Sequence, residues 1–270
     1  MPDEAGVVEM FEAINGARLY YETIGEAEGG RPPIVLIHGS LATGRVDWGD
    51  VPERLSAALG RRLVIVPDCR GHGRSDNPQG TYRFAEMAAD TVGLARKLGH
   101  PRAHFVGHSN GGNVALLVLM EHAEAVATCV LQAANAYVSA DWQEREPPYF
   151  DPDRIRQNDP ARAAELQALH EEGNGPDYWR DLMPLTLKEL LAGPNYTPAE
   201  LGAVRRPVLV IQGAEDGVNV VGRHAQYLAE NIPGAELWLA EGVGHSVHRE
   251  RPEEWLERVT EFIRKNDETD

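Results

Sequence analysis

Residues 103–119 run Ala-His-Phe-Val-Gly-His-Ser-Asn-Gly-Gly-Asn-Val-Ala-Leu-Leu-Val-Leu, an apolar run followed by a helical pattern. Only Gly107-His108-Ser109-Asn110-Gly111 separates the two. A strand that turns this sharply into a helix forces the middle residue into a strained backbone, so the residues two places away must lack bulk. Gly107 and Gly111 meet that demand, and Gly112 lets the helix lie close to the sheet. The turn raises the Ser109 hydroxyl at the carboxyl edge of the sheet, with a helix start behind it.

The rest of the chain supplies such a sheet. Residues 7–14 and 17–24 alternate apolar and polar around Asn15-Gly16, the pattern of a hairpin at a sheet edge. Residues 33–37 form a continuous apolar run, as in a strand buried on both faces. Helix-period segments at 51–59 and 84–98 alternate with apolar runs at 63–66, 103–107 and 126–131, which predicts βαβ units and a mostly parallel sheet. From 135 to 204 the strand-like runs vanish and prolines punctuate short helical stretches. Asp159-Pro160 starts one helix through Leu169, stopped by Gly173. Residues 177–182 and 185–191 read as two more. Sheet signals resume at 207–212, with a helix near 221–231, a strand at 236–239 and a last helix at 252–263. The expected organisation is a core of residues 1–134 and 205–270 interrupted by a helical lid at 135–204.

At 270 residues and 42% apolar content, the chain can bury a sizeable core. Its formal charge of −16 disfavours nucleic acid, anionic membrane and polyanionic substrates. The acidic start lacks a basic region followed by an apolar run, and no stretch approaches the roughly 18 apolar residues of a membrane span. Cytoplasmic location is the expectation. Cys69 and Cys129 read as free thiols, no cysteine–histidine spacing suggests a metal, and no cofactor is called for. Residues 1–5 and 265–270 are polar and expected to fray.

A serine hydroxyl needs a base to become a nucleophile, and that base needs a carboxylate to fix its tautomer. Of ten histidines, His245 is the candidate base, in a glycine-flanked loop after the last strand. His248, three residues on, reads as an ordinary loop residue. His38, His72, His104 and His108 accompany motifs and suit structural hydrogen bonding. The candidate acid is Asp216, with Glu215 as its adjacent rival. An oxyanion needs two backbone donors, expected from Asn110 after the serine and from Ser40 in His38-Gly39-Ser40.

Together, His38-Gly39-Ser40, the Asp68–Ser75 loop, Gly107–Gly112, Gly213-Ala214-Glu215-Asp216 and Gly244-His245-Ser246 resemble the α/β-hydrolase superfamily. The resemblance implies an eight-stranded, mostly parallel sheet flanked by helices, with a lid inserted after the sixth strand. It favours Asp216 over Glu215 and gives Ser109, Asp216 and His245 the roles of a catalytic triad. It also implies that the 68–76 loop braces the oxyanion loop. Ser109 stands where haloalkane dehalogenases and epoxide hydrolases have aspartate. Ser40-Leu41-Ala42-Thr43 departs from the glycine- and proline-rich loop of carbon–carbon bond hydrolases. What remains resembles carboxylesterases and lactonases.

The expectation is a serine hydrolase of a small ester or lactone with an apolar acyl or ring portion, working as a monomer or homodimer. Carbon–carbon hydrolysis, thioester hydrolysis, a cyclase or lyase reaction, or slow-turnover ligand reception are the alternatives. In the lid, Trp142, Tyr149, Phe150, Tyr178 and Trp179, with Tyr196, either line the pocket or pin the lid to the core.

Overall fold

The computed structural model describes residues 8–27 and 30–267. Eight strands form one sheet in the order β1-β2-β4-β3-β5-β6-β7-β8. β1 (Val8–Ile14) and β2 (Ala17–Ile24) make the expected hairpin, and both of its turn residues adopt positive φ, Asn15 at 45° and Gly16 at 80°. Two successive positive φ values define the turn whose twist matches paired strands. β2 runs antiparallel to β4 (Val64–Pro67). From β4 onward every pairing is parallel, through β3 (Ile34–Ile37), β5 (Ala103–His108), β6 (Val126–Gln132), β7 (Val208–Gly213) and β8 (Glu236–Ala240).

The strand period of two sorts side chains into two cores. Val35, Ile37, Phe105, Leu131 and Val210 face one core, while Ile34, Leu36, Val106, Val130, Leu209 and Ile211 face the other. The first core is covered by α3 (Phe84–Lys97) and α4 (Asn110–Glu121). The second is covered by α1 (Gly44–Trp48), α2 (Val51–Ala58) and the terminal helix, whose Trp255, Val259 and Phe262 are buried. Each fully buried large aliphatic or aromatic side chain contributes about 1.5–3 kcal/mol by leaving water.

Between β6 and β7 lie α5 (Trp142–Arg145), α6 (Pro152–Asn158), α7 (Pro160–Asn174), α8 (Trp179–Leu190) and α9 (Pro198–Leu201). Two expectations fail here. α7 begins where expected, capped by the Asp159 carboxylate on the Arg162 N–H, but it passes through Gly173 and ends at Gly175, whose φ is 90°. Gly173 marks a close approach: a Cβ there would lie 2.8 Å from Gly73 O and Ser75 O. α8 is one helix with Pro184 inside it, not two. Buried Trp179, Leu182, Met183, Thr186 and Leu190 hold both sides of the proline to the core.

After β7 come α10 (Ala225–Asn231), α11 (Val247–Glu250) and α12 (Pro252–Asp267). α12 outruns its expected end. Lys265–Asp267 do not fray but remain helical, and the Asp267 carboxylate receives Nη1 and Nη2 of buried Arg62 at 3.0 and 2.5 Å. Residues 1–5 and 268–270 lie outside the described residues. Among the described residues, no helix is long and apolar enough to cross a membrane. Cys69 and Cys129 are free and buried.

Candidate active site

Four strand ends deliver the site. Between β5 and α4, Ser109 sits alone at φ 55° and ψ −119°, the strained geometry that the glycine spacing predicts. A Cβ on Gly107 would lie 2.1 Å from Gly111 O, and one on Gly111 would lie 2.1 Å from Ile37 O. Neither position admits a larger residue without opening the turn. The Ser109 N–H is anchored on Gln132 O at 2.9 Å, so β6 holds the turn from one side.

The β3 end supplies the facing loop. A Cβ on Gly39 would come within 3.3 Å of Ser109 Cβ, which places His38-Gly39-Ser40 directly against the turn. Among the described residues, the amides of Ser40 and Asn110 donate to no other group. Two free N–H groups beside a serine are what an oxyanion site requires. The Asn110 side chain is engaged elsewhere, its Nδ2 donating to Tyr82 Oη at 3.2 Å.

The 68–76 loop braces this region as the resemblance implies. The Cys69 N–H donates to His38 Nε2 at 2.9 Å, and Asp68 accepts from the Gly44 and Arg74 amides at 2.8 and 3.0 Å. Helix α7 reaches the same loop through His170, whose Nδ1 accepts from the Gly73 N–H at 2.9 Å. Burial pushes the His170 ring down to about 4, which keeps it a neutral acceptor.

After β7 and β8, two loops are pressed together. A Cβ on Gly213 would overlap Gly244 O at 1.9 Å. This contact brings Asp216 to His245, whose Nδ1–H donates to both carboxylate oxygens at 3.0 and 2.9 Å. The Val218 and Asn219 amides donate to Asp216 Oδ1 at 2.8 and 3.0 Å. Burial alone would raise this carboxyl, but the His245 ring and the two amides outweigh it and hold Asp216 below the usual carboxylate range. Glu215 is exposed and makes no side-chain bond among the described residues. The His245 ring lies 5.1 Å from that of His108, the residue before Ser109. The structure thus gathers Ser109, Ser40, Asn110, Asp216 and His245 at one edge of the sheet.

His72, His104 and His248 bond within the protein. His72 Nδ1 donates to Arg70 O at 3.0 Å, and His104 contacts Thr128 Oγ1 at 2.9 Å. His248 is not the ordinary loop residue its sequence position suggested. It is buried in α11, accepts from Gln132 Nε2 at 2.8 Å and donates to Asp47 O at 3.0 Å. Nothing in the sequence marks Asp47, because an Asp-Trp pair in a five-residue helix carries no motif. Its buried carboxylate accepts from His108 Nδ1 at 2.9 Å and from the Gly39 N–H at 2.7 Å. Asp47, His108 and His248 lie close enough together for a cation. The Arg249 guanidinium, 3.0 Å from Asp47 Oδ1, already supplies the positive charge, and N–H donors occupy the oxygens. The cluster is a hydrogen-bond network rather than a ligand set.

The inserted aromatics divide. Trp142 and Trp179 are buried, and Phe150, Tyr178 and Tyr196 are half-buried against the core. Tyr178 Oη accepts from Asn77 Nδ2 at 2.8 Å, tying α8 to the bracing loop. Tyr149 is exposed, in a surface cleft of about 540 Å³ beside Arg145, Arg154 and Arg162.

Residues 34–258 match the model of the Alpha/beta hydrolase family. The chain is 28% identical to serine hydrolase BPHL of Mus musculus, over 93% of this chain and 84% of that protein. It is 26% identical to 3-oxoadipate enol-lactonase 2 of Acinetobacter baylyi, over 92% and 93% of the two chains. Among solved structures, a hydrolase from Pseudomonas aeruginosa PA01 superposes with a TM-score of 0.75 at 25% identity, covering 94% of this chain and 98% of that one.

Proposed function

This chain belongs to the Alpha/beta hydrolase family, and from that premise we propose that it is a serine hydrolase of a small ester or lactone. The observation that carries the reading is the buried Asp216 carboxylate 2.9 Å from Nδ1 of His245, one loop away from strained Ser109. Similarity to an enol-lactonase and to a serine hydrolase supports it.

In this reading His245 Nε2 takes the Ser109 proton as Oγ bonds to the substrate carbonyl carbon. The resulting oxyanion is held by the Ser40 and Asn110 amides. Collapse breaks the bond to the leaving oxygen, which His245 protonates, and leaves an acyl group on Ser109. His245 then deprotonates a water that attacks the acyl carbon, releasing the acid and restoring the serine. A lactone follows the same course and yields a hydroxy acid. Residues 135–204 serve as the lid, and its half-buried Phe150 and Tyr178 suit an apolar acyl or ring portion.

A panel of chromogenic esters and lactones tests the proposal. Ser109→Ala is expected to lower turnover by about 10⁴ or more. Undiminished hydrolysis in that variant ends the reading. An acyl adduct on Ser109, seen by intact mass, separates acyl transfer from a lyase, and turnover above about 1 s⁻¹ rules out a slow receptor.

A further inference from the structure

Three loops converge on one carboxylate that the proposed reaction does not use. Asp47 is buried at 4% exposure. Its Oδ2 accepts from the Gly39 N–H at 2.7 Å, which holds the loop carrying Ser40. The same oxygen accepts from His108 Nδ1 at 2.9 Å, which holds the residue before Ser109. Its Oδ1 accepts from Arg249 Nη2 at 3.0 Å, while its backbone oxygen accepts from His248 Nε2 and Arg249 Nε, each at 3.0 Å. These last contacts hold the segment that follows His245.

The bond to Gly39 also commits that residue's own amide. With its N–H turned onto Asp47, Gly39 has no amide to offer an oxyanion, while the Ser40 amide donates to no other group among the described residues. His108 meanwhile stacks at 5.1 Å from His245 and sets its Nε2 3.5 Å from Ser246 Oγ. Burial opposes the charge on Asp47, but His108, His248 and the Gly39 amide overcome it and keep the carboxyl far below its ordinary range. The lowered pKa favours the anion, and the oxygens are committed to N–H donors. We infer that Asp47 is a positioning residue: through Gly39, His108 and the His248–Arg249 segment it sets the distance between Ser109, the oxyanion amides and His245. The inference rests on the serine-hydrolase reading above.

Asp47→Asn keeps the shape but turns an N–H donor against one of these donors. The probe is a fluorophosphonate, which reports geometry without a known substrate: Ser109 Oγ bonds to phosphorus, the P–F bond breaks, fluoride leaves and the serine proton passes to His245. The maximal labelling rate of folded Asp47→Asn is expected to fall about 10- to 100-fold, less than the loss on deleting an oxyanion donor outright. The half-saturating probe concentration should change by less than about threefold, because the pocket is untouched.

A cleft of about 380 Å³ lined by Asp47, Trp48, His248 and Arg249 opens to solvent, so formate can reach the space left by Asp47→Gly. Formate is expected to restore at least part of the lost rate. A rate in Asp47→Gly that follows only the folded fraction and ignores formate overturns the positioning role. Should no Asp47 variant fold, His108→Leu removes one donor while filling its space, and labelling at the wild-type rate counts against the inference. Wild-type labelling of Asp47→Asn beside an unlabelled Ser109→Ala sinks the inference alone. Wild-type labelling of Ser109→Ala sinks the serine-hydrolase reading itself.

Discussion

Asp216 and Asp47 grip His245 and His108 in nearly the same way, each with a carboxylate oxygen 2.9 Å from Nδ1. Both carboxylates also receive backbone amides, and both are held below their ordinary pKa. The pairs differ at the other ring nitrogen. The His245 side chain keeps 22% of its surface exposed, and its Nε2 meets no partner among the described residues. The His108 side chain keeps 6%, and its Nε2 is turned to Ser246. One pair thus leaves its far nitrogen without a partner among the described residues, while the other spends both nitrogens inside the protein. An aspartate–histidine pair becomes an acid–base device only where its far nitrogen is left open.

That contrast predicts unequal losses from the same substitution. Asp216→Asn preserves shape but stabilises the wrong tautomer of His245, so kcat for an ester is expected to fall about 10⁴-fold. Asp47→Asn is expected to cost two to three orders of magnitude less, because no proton passes through His108. Steady-state kinetics on both variants checks the ordering. A loss below about tenfold in Asp216→Asn removes the distinction between the pairs.

The buried side of the comparison also governs stability in acid. Burial pushes His248, packed beside Asp47 and His108, down to about 3, and pushes His170 and His224 down to about 4. Their unfolded rings titrate near 6.5. Between that value and the folded values the unfolded chain binds more protons, so folding stability is full above about pH 6.5 and is lost as pH falls toward 4. Each ring can contribute up to about 1.4 kcal/mol per pH unit across its window. Urea unfolding at pH 7 and pH 4.5 should show a loss of several kcal/mol, and a flat profile contradicts the assignment. His170→Asn, which offers an acceptor that cannot titrate, should make the slope shallower.

Much of this was legible in the chain because strand ends carry their own punctuation. Asn15-Gly16 announced a hairpin, and Gly107, Gly111, Gly213 and Gly244 marked the places where backbones meet. The elements without a sequence signal are too short for periodicity to show: α1, α5, α6, α9 and α11 run four to seven residues each. Local propensity makes Pro184 and Gly173 helix breaks, and tertiary packing overrides both. Asp47 was invisible for a different reason. Its partners Gly39, His108 and Arg249 are 8, 61 and 202 residues away, and no local pattern records a carboxylate shared at such distances.

The smallest expected effect tests the comparison at its finest point, the choice between neighbouring acids. Glu215 and Asp216 share one loop, whose Glu215 N–H donates to Val243 O at 2.9 Å. That bond presses the loop against the segment leading to His245 and leaves adjacent side chains on opposite sides. Asp216 turns inward to a carboxylate with no exposed surface, and Glu215 turns out to water. An exposed charge beside a site is screened by solvent and moves the barrier little. Glu215→Gln should therefore keep kcat within about twofold of wild type and stability within about 0.5 kcal/mol. If it instead reproduces the loss expected of Asp216→Asn, the acid has been assigned to the wrong residue. The inward bonds of Asp216 would then be those of a loop anchor, like the bonds of Asp47.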